Sequence, residues 1–411
     1  MADNEPAARI ERWLGLNNVA EPAALPLGWL RQADNLVLDD AGWARRRRGL
    51  TELIPEGIEA VYALRNEEAL LAVVDGDLCE VLEDASTQLL LAGVGAGPYR
   101  WAELANTVVL MGSERAIRLE PGAVGELGIE LPARVTLAAI PGSLPAGTYQ
   151  VALTLLREPS GLESGAREAA TIAVNGSQAI QVSGIEQRSG DVARLYVSEP
   201  NGVVLYRNQA VFGGAATITA PGGHTPLRTM GLLPPPLGVE IAFHQARLWV
   251  AEYEPSPGVT HLWRSRPFQP HLFDRLRDWL TVPGRVEVMG STPNGLLIGT
   301  DREVYGWVPT EDRGEVLIQQ ANYGAVRGSL AWLPDGAVIF WTRRGAATAL
   351  PYQNLTEDRL SAPFGRSAPG AVVELDGVRQ YLAAPQSEGW SHNPAPVQPS
   401  PSLATNTLVE D

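Results

Sequence analysis

Leu70-Leu71-Ala72-Val73-Val74-Asp75-Gly76-Asp77-Leu78-Cys79-Glu80-Val81-Leu82 is two apolar runs of strand length on either side of an Asp-Gly-Asp turn. Asp-Gly accepts the backbone angles that a tight hairpin turn demands, so the stretch reads as a β-hairpin. Just upstream, Val61-Tyr62-Ala63-Leu64 and the Asn66-Glu67-Glu68 turn supply a further strand. The unit is therefore strand, turn, strand, turn, strand, beginning near Ile58.

The unit recurs. A second copy runs from Trp101 through Ala105-Asn106 to Val108-Val109-Leu110-Met111, then Ser113-Glu114 and Ile117-Arg118-Leu119. The pattern stops there and returns at Ile241, with His244-Gln245-Ala246 as turn and Leu248-Trp249-Val250-Ala251 as strand. Further copies use Pro293-Asn294-Gly295 and Asp301-Arg302-Glu303, then Pro334-Asp335-Gly336 and Arg343-Arg344-Gly345, and a shorter one uses Asp376-Gly377. Adjacent copies start roughly 40 to 45 residues apart, the spacing of four-stranded propeller blades. The sequence thus predicts an all-β chain, a β-propeller of about six blades.

The gap between the early and late copies has its own pattern. Tyr149, Val151, Leu153 and Leu155 alternate with smaller or polar residues, the period of a half-buried strand. Gly161-Leu162-Glu163-Ser164-Gly165 turns the chain, and Val192 to Val197 pairs through Pro200-Asn201-Gly202 with Val203-Val204-Leu205-Tyr206. About a hundred residues with several such strands suit an inserted antiparallel sandwich. Leu232-Leu233-Pro234-Pro235-Pro236 is a stiff way out of it. The expected division is 1–50 leading into the first blade, 51–131 propeller, 132–236 inserted sandwich, 237–385 propeller, and 386–411 an extended Pro/Ser-rich tail.

Composition narrows the function. The 411 residues include 42 Gly and 32 Pro spread along the chain, which suits many short strands joined by turns. All 32 basic residues are Arg, and the formal net charge is -15, where a broad nucleic-acid binder would be basic. An acidic wall could still pass DNA without holding it. Cys79 is the one cysteine, so no intrachain disulfide forms, and in a hairpin strand it reads as a small apolar residue. The N-terminal residues lack the pattern of a secretory signal, and no apolar run reaches the roughly 20 residues that cross a bilayer.

Catalytic and metal motifs are sparse. The five histidines, His224, His244, His261, His271 and His392, are scattered, and Asp75-Gly76-Asp77 lacks the further ligands of a calcium loop. There is no Gly-x-Ser-x-Gly elbow, and Gly213-Gly214 and Gly222-Gly223 precede neither helix nor Lys. No acidic pair stands out among 47 for glycoside cleavage. In Leu262-Trp263-Arg264-Ser265-Arg266-Pro267-Phe268, continuing to Phe273-Asp274-Arg275-Leu276 and Trp279, aromatics alternate with arginines. Such a run can bind single strands; the structural reading is an inter-blade connection packing its aromatics inward.

The opening segment carries the remaining signal: Trp13-Leu14-Gly15-Leu16-Asn17-Asn18, then Gln32-Ala33-Asp34-Asn35, Asp39-Asp40-Ala41-Gly42, and Arg45-Arg46-Arg47-Arg48-Gly49-Leu50. Asn17-Asn18, Asp34-Asn35 and Asp40-Ala41-Gly42 are turn chemistry. On a strand, Arg45 and Arg47 would face one side, Arg46 and Arg48 the other. They are either a solvated strand end or, as candidate interface residues, guanidinium partners for carboxylates of neighbouring copies. DNA contact ranks below both, since four arginines neutralise few phosphates.

This segment resembles the opening of bacteriophage tail proteins, in which Gly-Asn-Asn leads to an Asn near a strand and then an Arg-Arg-x-Gly turn. The insert resembles a fibronectin type III module, carried by the Gly147-Thr148-Tyr149 strand, the Glu163-Ser164-Gly165 turn and Ser198-Glu199-Pro200-Asn201-Gly202. Trp263-Arg264-Ser265-Arg266-Pro267 before Phe273-Asp274 is similar to a recurring feature of the same phage proteins. Together they resemble the tail hub or nozzle proteins of short-tailed phages, also called packaged-DNA stabilisation proteins. The resemblance implies a structural virion protein and no enzyme or cofactor. It implies copies in a ring, expected to be a hexamer, below the portal or head-tail adaptor. The ring extends the DNA channel, retains packaged DNA without sequence-specific contacts, and carries the tail tip or fibres. It further implies assembly in the host cytoplasm, residence in the virion tail and no membrane contact. The alternatives are a tail-tip or receptor-binding protein and, from another class, a propeller glycan hydrolase.

Overall fold

The computed structural model describes residues 10–33, 36–39, 41–46, 57–64, 69–310, 312, 314–361, 367–375 and 378–384. Among these the chain is all-β, with one three-residue 3-10 turn at Pro22–Ala24 and no α-helix. It divides into two compact units, Glu52–Pro283 and the pair Met1–Thr51 with Gly284–Asp411.

The repeated units are antiparallel meanders, each strand hydrogen-bonded to the next in sequence. Meander 1 has strands Ile58–Ala63, Leu70–Val74, Asp77–Val81 and Thr87–Leu91; meander 2 has Arg100–Leu104, Thr107–Met111, Ala116–Glu120 and Ala123–Glu126. Meander 3 has Glu240–His244, Arg247–Glu254, Val259–Arg266 and Trp279–Pro283, with an excursion strand Gln269–Phe273 that pairs with the end of the third. Meanders 4 and 5 belong to the other unit: Val286–Thr292, Gly295–Thr300, Val304–Thr310 and Gly314–Ala321, then Ala331–Trp332, Val338–Thr342, Gly345–Ala349 and Gln353–Asn354. A two-stranded hairpin, Gly370–Leu375 with Val378–Ala383, follows.

The Asp75-Gly76 turn behaves as its chemistry predicts: both residues take positive φ, 51° and 78°, as a two-residue hairpin connection requires. The neighbouring turn of meander 2 closes with Ala105 at φ 50°. The inner strands are buried on both faces, which is why they read as continuous apolar runs. Leu71, Val73 and Leu78 of meander 1 share a core with Val108, Leu110, Ile117 and Leu119 of meander 2. Val109 and Met111 of meander 2 share another with Ile241, Phe243, Leu248 and Val250 of meander 3. In the other unit Val288, Leu297 and Val304 pack against Val338, Phe340 and Ala347. Each fully buried Leu, Val or Phe contributes about 1.5–3 kcal/mol.

Residues 136–218 form a two-sheet sandwich. One sheet is Thr136–Leu144, Gln178–Ser183 and Ala215–Ile218; the other is built on Gly147–Arg157, flanked by Asp191–Ser198 on one side and by Ala170–Val174 and Leu162–Glu163 on the other, with Leu205–Val211 beyond Asp191–Ser198. Tyr149, Val151, Leu153 and Leu155 meet Leu144, Ile180, Val182 and Ile218 between the sheets. The half-buried reading of this strand is corrected: its alternate residues Ala152, Thr154 and Leu156 are buried too. Ala166, Tyr196, Leu205 and Leu227 cover Ala152 from outside, and Thr154 is satisfied by a 2.6 Å hydrogen bond to Glu163 Oε1. The hairpin after Asn201 also begins later than its sequence indicates, since Val203 and Val204 are exposed in the turn and the strand starts at Leu205.

The two legs of the sandwich run side by side. A Cβ on Gly128 of the incoming leg would sit 2.9 Å from Pro235 Cδ of the outgoing one, and a Cβ on Gly165 would strike the Leu232 carbonyl. Phe273 of the excursion strand exchanges two 2.9 Å backbone hydrogen bonds with Leu233.

Candidate functional site

The opening segment is tied to distant sequence around Arg359 and Ser361. Gly15–Leu16 pairs in parallel with Trp29–Leu30, and Asn17 Oδ1 accepts from the Val19 and Ala20 amides at 3.2 and 3.0 Å. Asn18 then acts as a backbone mimic. Its Nδ2 donates to the Ser361 carbonyl at 2.8 Å, its Oδ1 accepts from the Ser361 amide at 2.7 Å, and its own amide donates to the Arg359 carbonyl at 3.0 Å. The Arg359 guanidinium lies 5.5 Å from the centre of the Trp29 ring, a cation–π contact. Only an amide side chain can donate and accept in this way, which explains Asn at 18.

Downstream, Leu36–Leu38 pairs with Ala44–Arg46 as an isolated two-stranded sheet. Gly42 takes φ 83° in its turn, and Asp39 Oδ1 accepts from the Trp43 amide at 2.8 Å. Arg45 lies opposite Val37 and Arg46 opposite Leu36, so the two guanidiniums leave from opposite faces. Both residues are exposed, and beside them Trp43 is 68 % exposed. Arg47 and Arg48 lie outside the described residues.

The aromatic–arginine stretch is placed differently from its sequence reading. Val259–Arg266 is a strand of meander 3, not a connection; its Trp263 packs against the core shared with meander 2, while Phe268 and Trp279 beyond it are exposed. Trp263 lies directly opposite Trp279, with His261 two residues away on the same face. Ring centroids are 5.9 Å apart for Trp263–Trp279, 5.9 Å for His261–Trp263 and 5.7 Å for His261–Trp279. Trp263 Nε1 and Arg275 Nη2 each donate to Glu252 Oε2 at 2.7 Å, and Arg275 covers the Trp263 ring at 4.6 Å. His261 Nε2 meets Glu254 Oε2 at 3.1 Å, while its Nδ1 meets Thr281 Oγ1 at 3.3 Å. Trp279 keeps 45 % of its surface in solvent. Phe273 does turn inward and is buried.

A third cluster lies where the sandwich meets the meanders. A groove of about 290 Å³ is lined by Arg118, Glu120, Val124, Glu126, Arg157 and Leu162, among others. Its arginines are committed: Arg118 pairs with Glu120, and Arg157 bonds Asp191 at 3.0 Å and the Glu126 and Gly128 carbonyls at 3.2 and 3.1 Å. Buried beside them, His271 is held well below its ordinary value of 6.5, at about 4. Desolvation is the main cause, the Arg118 charge adds to it, a backbone hydrogen bond at Glu163 opposes it, and Arg157 contributes least.

Cys79 is buried, and burial followed by the Asp77 charge pushes its thiol up, the opposite of an activated nucleophile. Among the described residues no three His, Cys, Asp or Glu side chains are grouped to hold a metal ion. His261 and His271 have specific partners but share no site, and nothing in the sequence signals either arrangement.

Comparison with protein families finds no match, and comparison with curated proteins finds none. Solved structures do show likeness. The extracellular domain of a hybrid two-component system from B. thetaiotaomicron aligns at 12% identity and a TM-score of 0.31, over 76% of this chain and 35% of that one. PorZ, a surface component of the type-IX secretion system of Porphyromonas gingivalis, aligns at 13% identity and a TM-score of 0.20, over 83% of this chain and 52% of that one. The chain therefore spans about a third and about half of the length of these two proteins.

Proposed function

We propose that this chain is a non-enzymatic structural subunit of a short-tailed phage tail, a hub or nozzle protein that assembles in a ring, expected to be a hexamer, below the portal or adaptor. In this reading the five meanders and the final hairpin are blades of one propeller, and the sandwich is a fibronectin type III-like branch. The ring extends the DNA channel and helps retain packaged DNA. Arg45 and Arg46 on an exposed strand, in a chain of net charge -15, are the observation that carries the proposal. Acidic copies repel one another, and a fixed basic strand beside the exposed Trp43 gives them an oppositely charged, partly apolar place to dock.

Sedimentation velocity of the purified chain across a concentration series tests this, with electron microscopy of any assembly. A ring is expected, and replacing Arg45 to Arg48 by Ser should leave the far-UV circular dichroism unchanged while weakening assembly at least tenfold. A wild-type chain that stays monomeric at high concentration and is missing from virions would refute the proposal. Normal assembly of the Ser variant would return the arginines to a solvated surface.

A further inference from the structure

We infer that the exposed edge of meander 3, at Trp279 with His261, Glu252 and Glu254, is a binding platform for a neutral saccharide. The inference stands apart from the tail proposal, since it concerns neither assembly nor DNA.

Three ligand chemistries suit exposed aromatic rings, and the geometry separates them. A quaternary ammonium needs rings arranged around a void. Here the three centroids are 5.7–5.9 Å apart, the separation of rings in direct contact, so no void lies between them. A stacked nucleobase brings phosphates, which need a basic groove. The shelf presents two carboxylates instead, and the guanidinium over its Trp263 face, Arg275, is already spent on Glu252 and on that ring.

A pyranose fits what is left. Its C–H bonds carry partial positive charge and lie well on the negative face of an indole. Its hydroxyls are neutral donors, and carboxylates are acceptors with several lone-pair sites each. Trp279 supplies the open ring. Glu252 is fixed by Trp263 and Arg275, and Glu254 by His261, so both acceptors are oriented before a ligand arrives. An apolar surface with a few placed polar groups is the general make-up of a small-ligand site.

Native affinity electrophoresis of the full chain, through gels carrying barley β-glucan, dextran or galactomannan, tests the inference. Retardation in at least one gel is expected. Trp279→Ala should lower the apparent affinity at least tenfold, Trp279→Phe should restore most of it, and Glu254→Gln should lower it severalfold. Trp279 lies on the outermost strand of its sheet, so far-UV circular dichroism of the variants should match wild type. Unretarded migration in all three gels would overturn the inference, as would equal retardation of Trp279→Ala. Binding of an oligothymidylate that is lost in Trp279→Ala would overturn it in favour of nucleic acid. Ring assembly is read separately, so either proposal can fail alone.

Discussion

His271 shows how a single residue can hold a junction and make it sensitive to acid. It sits on the excursion strand of meander 3, 6 % exposed, with Arg118 of meander 2 and Arg157 of the sandwich as charged neighbours. Its folded value near 4 lies below the ordinary 6.5, so between these the unfolded chain binds the proton and the folded chain does not. Its contribution is fully present above pH 6.5 and is lost as the pH falls towards 4, about 3 kcal/mol in all. Urea unfolding from pH 7.5 to 4 should show this slope, and His271→Gln should flatten it. None of this was legible in the sequence. Gln269-Pro270-His271 carries no periodic signal, and the two arginines lie 153 and 114 residues upstream (271 − 118, 271 − 157).

Among elements, the meander hairpins were the most legible, because turn chemistry and strand pattern point the same way. Asp75-Gly76 fixes a turn locally, and the apolar runs beside it need only a sheet on either side. The opening segment was legible in part. Asn17-Asn18 announces a turn, and Asn17 makes one, but the reach of Asn18 to Ser361 across 343 residues is a tertiary fact. Asn18→Ala removes both side-chain hydrogen bonds and should cost about 1–2 kcal/mol, tempered by solvent at that site. Thermal unfolding and limited proteolysis of the opening segment will check it. The aromatic stretch was misplaced because alternating Trp, Arg and Ser suits a loop or a strand, and only the pairing of Trp263 with Trp279 decides between them.

Over the whole molecule, the order of early repeats, insert and late repeats was readable because the repeat spacing breaks near Leu119 and resumes near Ile241. The cover over the outer face of Gly147–Arg157 was not, since it comes from irregular chain around Ala166 and Leu227. The core of meanders 2 and 3 and the core of the sandwich are built from separate residues. Replacing residues 132–232 by a short Gly-Ser linker should therefore leave a cooperatively folding protein with the near-UV signal of Trp249. The acid slope of His271 should flatten with it, because desolvation is the main cause of the low value and losing the sandwich beside it lets water reach the imidazole. Circular dichroism and urea unfolding of the shortened chain will show both.

The adjacency of Gly128 and Pro235 has a further meaning. Because the chain leaves meander 2 and returns almost to the same point, the contour length spent between those residues is mechanically invisible to the sheets on either side. A pull on the meanders is not transmitted through the sandwich, and a longer or shorter sandwich would not shift their register. The branch point is a place where lineages could exchange one projecting module for another while the supporting sheets remain as they are.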